Sequence, residues 1–142
     1  MKRFIGLDLG TTSLGVSISD KTNTIVSPLV LIKFKKEDYN IALKEVLNII
    51  KDYNITDVVL GLPKNMDSSM GFAATRSINF KKMLEENDIT VHLEDERLTT
   101  VEAINIMKNN GVKKINKSGN TDILSAVLIL ESYIKRIENE RK

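Results

Sequence analysis

The chain has 142 residues, a length that fits a single domain with its own hydrophobic core. It contains no Cys, which excludes disulfides and thiolate metal sites, and its one His, His92, cannot build a multi-histidine zinc site. The formal net charge of +2 is too small to indicate a nucleic-acid ligand by itself. Because no apolar run suits a membrane span or a signal peptide, we expect a cytoplasmic globular protein with no membrane partner.

The N-terminal part of the chain predicts three strands joined by tight turns. Apolar runs at about 3–9 and 14–19 flank a Gly-Thr-Thr-Ser turn, and a third β-rich run follows at 25–32. Pro28 within the third run indicates an edge strand or a bulge, because proline cannot donate a hydrogen bond to a neighbouring strand.

The remainder of the chain alternates helix and strand. Apolar residues at helical spacing predict helices at about 38–53, 72–87 and 121–138, and short apolar runs predict strands at 58–61 and 89–93. Thr99 and Glu102 form a capping box that predicts another helix to about 109, and a loop at 110–119 follows. This order predicts an α/β fold with a five-stranded mixed sheet, a three-strand antiparallel meander and helices on both faces.

Two acidic stretches lie where ligands gather in open α/β sheets, beyond the carboxyl ends of the strands. Asp8 is near the end of a first strand that is apolar on both faces, so its charge needs a hydrogen-bonded, paired or metal-bound environment. A turn cap and a metal ligand both satisfy that need. Glu94, Asp95 and Glu96 end the last strand, and strand parity separates Asp95 from the other two without deciding which acid faces Asp8.

Asp122 is the third acidic candidate, and it is predicted in the first turn of the last helix. The positions on its face are Ala126, Ile129, Leu130 and Tyr133, so it projects from a largely buried stripe. Taken alone, an acid in a first turn is better explained by compensation of the helix dipole.

Together the three acidic positions indicate metal chemistry. Carboxylates from separate elements, with no Cys, are what a pair of Mg²⁺ or Mn²⁺ ions about 3.5–4 Å apart requires for phosphodiester hydrolysis. Arg97 beside the cluster is suited to bidentate phosphate binding, or else to an ion pair with a neighbouring acid.

The basic residues give a weaker indication of contacts with nucleic acid than the acidic residues give of a metal site. Two groups of lysines are suited to contacts with a nucleic-acid backbone: Lys113, Lys114 and Lys117 in the loop before Asp122, and Lys33, Lys35 and Lys36 after the third strand. We predict such contacts for the first group, whereas an ordinary solvated loop is the preferred interpretation of the second. Lys64 and Arg76 flank a polar loop that is also a candidate. His92 is predicted to be a structural residue in mid-strand.

Four segments together resemble the YqgF (RuvX) family. They are Gly6-Leu7-Asp8-Leu9-Gly10-Thr11 through Gly15-Val16, Gly61-Leu62-Pro63-Lys64-Asn65-Met66-Asp67, Asp95-Glu96-Arg97-Leu98-Thr99-Thr100, and Asp122 leading into 128–133. They occur in the order of the family and span nearly the whole chain. Two departures stand out: Thr12-Ser13 replaces a frequent Lys-Arg or Lys-Ser, and Ser68 replaces a frequent Gly.

The resemblance implies an RNase H-like fold of the RuvC type and a Mg²⁺- or Mn²⁺-dependent endonuclease. Its implied substrate is the 5′ end of pre-16S ribosomal RNA, with four-way DNA junctions as the alternative. The family's acids carry over to Asp8, to Glu96 or Asp95, and to Asp122. We predict substrate contacts from these residues: Thr11, Thr12, Lys64, Asn65, Arg97, Lys113, Lys114 and Lys117.

Other readings of the same residues remain. The segment from Gly6 to Thr12 also resembles the first phosphate loop of sugar kinases and chaperone-type ATPases, but 142 residues cannot hold the two lobes of that fold. A nucleic-acid-binding module without cleavage is a further alternative. A monomer and a homodimer both stay open, because a junction resolvase needs two subunits for symmetric cutting and an RNA-trimming enzyme does not.

Overall fold

The computed structural model describes residues 2–63, 71–96 and 118–140, with only the backbone described at 118–122. The strands within these ranges form one mixed sheet: β1 (Ile5–Leu9), β2 (Ser13–Ser19), β3 (Val26–Lys33), β4 (Asp57–Leu62) and β5 (Thr90–Asp95). Their order across the sheet is β3-β2-β1-β4-β5. The first three strands pair antiparallel, and β4 and β5 extend the sheet in parallel, which confirms the predicted meander and mixed sheet.

β3 is an edge strand with the irregularity predicted from Pro28. Val16 pairs with Val30 and Ser17 pairs with Pro28, so Leu29 is an extra residue on the β3 side. A bulge at this point accommodates a residue that has no N–H to donate.

Helices cover both faces of the sheet, as the sequence predicts. The described helices are α1 (Tyr39–Tyr53), α2 (Phe72–Glu85) and α3 (Ser118–Glu140). Apolar residues of α1 and α2 share one core with alternate residues of β1 and β4, and α3 covers the other face. The predicted helix at 99–109 and most of the loop at 110–119 lie outside the described residues. No helix in the described ranges has an apolar stretch long enough to cross a membrane.

The parallel strands fix the position of the candidate site. β1, β3, β4 and β5 run in the same direction and finish together, at Leu9, Lys33, Leu62 and Asp95. We refer to this end of the sheet as the carboxyl end. Asp8 and the acids at the end of β5 all lie there, as predicted from the strand order.

Candidate active site

Asp8 is half-buried near the end of the central strand, on the face that α3 covers. Gly6 precedes Asp8 by two residues in β1, so both residues lie on the same face of the sheet, and the contacts of Gly6 identify that face. A Cβ atom at Gly6 would lie 2.8 Å from the carbonyl oxygen of Ala126 and 2.9 Å from the Cβ atom of Leu130. Gly6 is therefore needed because α3 approaches the sheet too closely there for any side chain.

Helix α3 runs antiparallel to β1 across this face. The ring of Phe4, just before β1, contacts Tyr133 with 5.5 Å between ring centroids, whereas Gly6 faces the earlier residue Ala126. Asp8 comes two residues after Gly6 and therefore lies toward the N-terminal part of α3.

Glu96 places its carboxyl group on the same face as Asp8. Its Cγ and Cδ atoms lie 2.8 Å from the position that a Cβ atom of Gly61 would occupy. In the register of β1 with β4, Asp8 follows the Leu7–Leu60 pair and comes next to Gly61. Because neighbouring strands lie about 4.8 Å apart, the Glu96 carboxyl group is within about 8 Å of the Cβ atom of Asp8.

Asp95 occupies the opposite face. The alternation of side chains along β5 puts Asp95 with Val91 and Leu93, which pack against the core under α1 and α2. The sequence leaves open which acid shares the face of Asp8, and the structure places Glu96 there. The assignment of either acid to a metal nevertheless stays a prediction.

Asp122 belongs to α3, but not to its first turn. The helix begins at Ser118 rather than at Thr121, so Asp122 is beyond the first turn, where stabilisation by the helix dipole fades. Compensation of the helix dipole, which the sequence suggested as the reason for an acid at position 122, is therefore a weaker explanation for Asp122. Position 122 is about one turn before Ala126, in the part of α3 toward which Asp8 lies. The side chain of Asp122 lies outside the described part of the chain.

Glu94 joins β5 to α3 through a buried cluster of hydrogen bonds. Its side chain is only 4% exposed. The Ser132 hydroxyl donates to Glu94 Oε2 at 2.6 Å, and Arg136 donates to Oε1 from Nη2 at 2.6 Å and from Nε at 3.2 Å. The hydrogen bond to Glu94 also raises the pKa of the Arg136 guanidinium. The cluster fixes α3 against the strand that leads to Glu96.

Arg136→Ala is expected to destabilise the fold by about 3 kcal/mol, because it leaves a buried carboxylate with one hydroxyl partner. The exposed Glu140, which contacts Arg136 at 3.6 Å, supplies the matched control. We expect Glu140→Ala to cost at most about 0.5 kcal/mol, as exposed ion pairs do. Urea unfolding measures both changes, and equal losses for the two variants would contradict a structural role for the Glu94 cluster.

This cluster was not predicted from the sequence. Arg97 was the ion-pair partner considered for the acids at the end of β5, and the structure shows that Arg136 of α3 binds Glu94. The one available signal is the four-residue spacing of Ser132 and Arg136, which puts both on one face of a helix. That spacing does not reveal a partner some forty positions away in the chain.

The turn at 10–13 is ordered directly beyond Asp8. The Gly10 N–H donates to the carbonyl oxygen of Ser13 at 2.8 Å, which closes the turn. Thr11 is half-buried and Thr12 is exposed, so their predicted contacts with substrate stay open. The other predicted substrate contacts lie outside the described residues: Lys64, Asn65, Arg97, Lys113, Lys114 and Lys117.

His92 lies in the middle of β5, and its side chain has a structural environment. Its Nε2 atom is 3.0 Å from Oδ2 of the buried Asp57, and its ring packs beside Tyr133. Burial by itself raises the pKa of the Asp57 carboxyl, but hydrogen bonds from His92 and Thr56 and the charge of Lys2 outweigh it and lower that pKa overall. This placement agrees with the structural role predicted for His92.

The described acidic side chains at the carboxyl end, Asp8, Asp95 and Glu96, could offer carboxylate oxygens to a metal ion. Within the described ranges, no group of three or more His, Asp or Glu side chains forms a possible metal site. A site of three acids at this end would need a member beyond Asp8 and Glu96, and Asp122 is the predicted one.

Comparison with known proteins shows to which family this chain is related. The profile described as "RuvX: Holliday junction resolvase" matches residues 2–136. A protein of Lactobacillus gasseri named "Putative pre-16S rRNA nuclease" is 36% identical, over 98% of this chain and 99% of the relative. A protein of Ruminiclostridium cellulolyticum with the same name is 38% identical, over 99% of both chains.

Solved structures support the fold. RuvC of T. thermophilus, in complex with a Holliday junction substrate, superposes with a TM-score of 0.59 at 12% identity and covers 97% of each chain. The Fowlpox virus resolvase, in complex with Holliday junction DNA, gives a TM-score of 0.55 at 18% identity and covers 95% of this chain and 98% of the resolvase. The fold is thus RNase H-like and of the RuvC type, as predicted. With a profile match over residues 2–136 and a relative that is 36% identical over 98% of this chain, the protein belongs to the RuvX family.

Proposed function

We propose that this protein is a nuclease that hydrolyses phosphodiester bonds in nucleic acid, with Mg²⁺ or Mn²⁺ held by Asp8, Glu96 and Asp122. The observation that carries the proposal is the placement of Asp8 and Glu96 on one face beside Gly61, at the carboxyl end. Membership of the RuvX family and the nuclease names of the relatives support it.

The residues present fit a hard divalent cation. Carboxylate oxygens are the ligands that Mg²⁺ and Mn²⁺ prefer, and a thiolate ligand is impossible in a chain without Cys. A bound cation would supply Lewis-acid polarisation of the phosphoryl group and neutralise charge in the transition state. Both described acids are half-buried, so their charges act in an environment less screened than bulk water.

Several residues around the acids have positioning roles in this proposal. Gly61 carries no side chain, which leaves room for the Glu96 carboxyl group beside Asp8, and a Cβ atom there would also lie 2.5 Å from Ile129. Gly6 allows the close approach of α3 that brings position 122 toward the same place. Glu94 fixes α3 against β5 through Arg136.

Pre-16S ribosomal RNA is the substrate that we propose first, because relatives with 36–38% identity are named "Putative pre-16S rRNA nuclease". The family resemblance implies that the 5′ end of this RNA is the part that is processed. A four-way DNA junction is the second candidate, favoured by the description of the family as a Holliday junction resolvase. The solution mass helps to separate them, since symmetric cutting of two strands requires a dimer.

The test is cleavage of both substrates by the purified protein. We expect hydrolysis of at least one of them with Mg²⁺ or Mn²⁺, loss of hydrolysis with excess chelator, and recovery when the metal is restored. A relative preference for the precursor RNA supports ribosomal RNA processing. Hydrolysis that continues at the same rate in chelator would contradict the metal dependence, and absence of hydrolysis on both substrates would contradict the nuclease assignment.

A further inference from the structure

A loop after β3 is fixed against the turn that follows the strand of Asp8. This segment, residues 33–38, is called the lysine loop below. The Phe34 N–H donates to the carbonyl oxygen of Thr12 at 3.0 Å, and the Glu37 N–H donates to that of Thr11 at 2.8 Å. The lysine loop therefore lies at the carboxyl end beside two residues that we predict to contact substrate.

The lysine loop is held in a defined shape. The Asp38 N–H donates to the carbonyl oxygen of Lys35 at 2.9 Å, and Phe34 and Tyr39 form an edge-on ring pair with 5.8 Å between centroids. Glu37 has a φ of 64°, in the left-handed region that a residue with a side chain occupies only when its surroundings impose it. The side chains on this loop are therefore presented from a preformed backbone.

The exposed charge of the lysine loop is mainly positive. Lys33, Lys35 and Lys36 are exposed, and no ion pair links them to any residue in the described ranges. Two acids share the loop: Glu37 is exposed, and Asp38 is half-buried at the N-cap position of α1. Three exposed cations against one exposed anion leave a surface suited to phosphate groups.

The register of the sheet sets a minimum distance from this surface to Asp8. Lys33 pairs with Ser13, and β3 is two strands away from β1. Two strand spacings are about 10 Å, and Lys35 and Lys36 lie beyond Lys33 in the chain. That minimum corresponds to about three nucleotides, since one strand of a nucleic-acid helix advances about 3.4 Å per nucleotide along its axis.

We propose that the lysine loop binds the sugar-phosphate backbone of the substrate strand, with Lys35 and Lys36 contacting phosphates at least about three nucleotides from the bond that is cut. The proposal rests on the nuclease function proposed above and adds a substrate-binding surface to it. It also replaces the interpretation of Lys33, Lys35 and Lys36 as an ordinary solvated loop.

The test measures binding separately from cleavage. The variant Lys35→Ala/Lys36→Ala, in an Asp8→Asn background that does not consume the substrate, is titrated with the precursor RNA and with the four-way DNA junction over a range of salt concentrations. We expect weaker binding and a shallower dependence of log K on log salt. The slope should change by about 1.4 for a single strand or about 1.8 for a duplex, for two lost phosphate contacts.

Lys21→Ala/Lys51→Ala is the matched control, because both lysines are exposed, the change in charge is the same, and Lys51 lies in the last turn of α1, away from the carboxyl end. Lys21 lies in the turn between β2 and β3, at the opposite end of the sheet from the lysine loop. We expect wild-type affinity and salt slope from this control. The variant Lys35→Arg/Lys36→Arg keeps the charge and is expected to keep the binding.

Strands shortened stepwise on each side of the mapped cut then locate the contact. The loss caused by Lys35→Ala/Lys36→Ala should disappear once fewer than about three nucleotides remain on one side. If the wild type cuts but this variant binds with wild-type affinity and slope, the lysine loop is not a binding site and the nuclease function stands. If the variant loses binding while the wild type cuts nothing, the nuclease assignment fails and the binding surface stands.

Discussion

Asp8→Asn is expected to lower the rate of phosphodiester cleavage by about 10³-fold while nucleic-acid binding survives. The substitution keeps the size of the side chain but removes the charge that we assign to metal binding. Charge stabilisation by a bound cation is worth several kcal/mol, and each 1.4 kcal/mol corresponds to a factor of ten in rate. Single-turnover cleavage with saturating Mg²⁺ or Mn²⁺, together with equilibrium binding, measures the two effects.

Asp52→Asn is the control for this substitution. Asp52 is exposed in the last turn of α1, away from the carboxyl end, and the chemical change is identical. We expect it to leave cleavage, binding and the unfolding transition unchanged. Undiminished cleavage by Asp8→Asn, or equal losses in both variants, would refute the assignment of Asp8.

Glu96→Gln is expected to reduce cleavage by about 10²-fold, and Asp95→Asn by much less. The two residues are adjacent in sequence, but they lie on opposite faces of the sheet. Glu96 lies beside Gly61 on the face of Asp8, whereas Asp95 is on the face that packs against α1 and α2. Loss of one charged ligand weakens the hold on the cation, so higher Mn²⁺ should partly restore the rate of Glu96→Gln.

The pair also serves as its own control, because each variant removes one negative charge from the same end of β5. Rates measured across a series of Mn²⁺ concentrations separate loss of metal affinity from loss of folding. A large loss in Asp95→Asn with a normal rate in Glu96→Gln would transfer the ligand role to Asp95.

Much of the sheet was predictable because the pattern of apolar residues in its strands matches the burial of those strands in the structure. β1 is apolar at every position except Asp8, which is typical of a central strand between two cores, and Pro28 marked the irregular edge strand. The start of α3 was predicted too late. Ser118, Gly119 and Asn120 favour caps and turns, so their propensity indicated a loop where the helix has already begun.

The candidate site was predictable only in part. The alternation of side chains along β5 predicts that Glu94 and Glu96 lie on the same face of the sheet. Which face this is depends on where α3 packs. The glycines Gly6 and Gly61 identify that face, but only once the residues that surround them in the structure are known. The partner of Glu94 was not predictable, because Arg136 meets it through tertiary packing. The position of the lysine loop likewise depends on sheet register and not on its own composition.

Crystals grown with Mn²⁺ and measured at a wavelength where manganese scatters anomalously would show directly whether the three acids bind a metal ion. We predict anomalous density at the carboxyl end of the sheet, in contact with carboxylate oxygens of Asp8, Glu96 and Asp122. Manganese bound elsewhere, or an Asp122 carboxylate directed away from Asp8, would contradict the proposal that these three acids form one metal site.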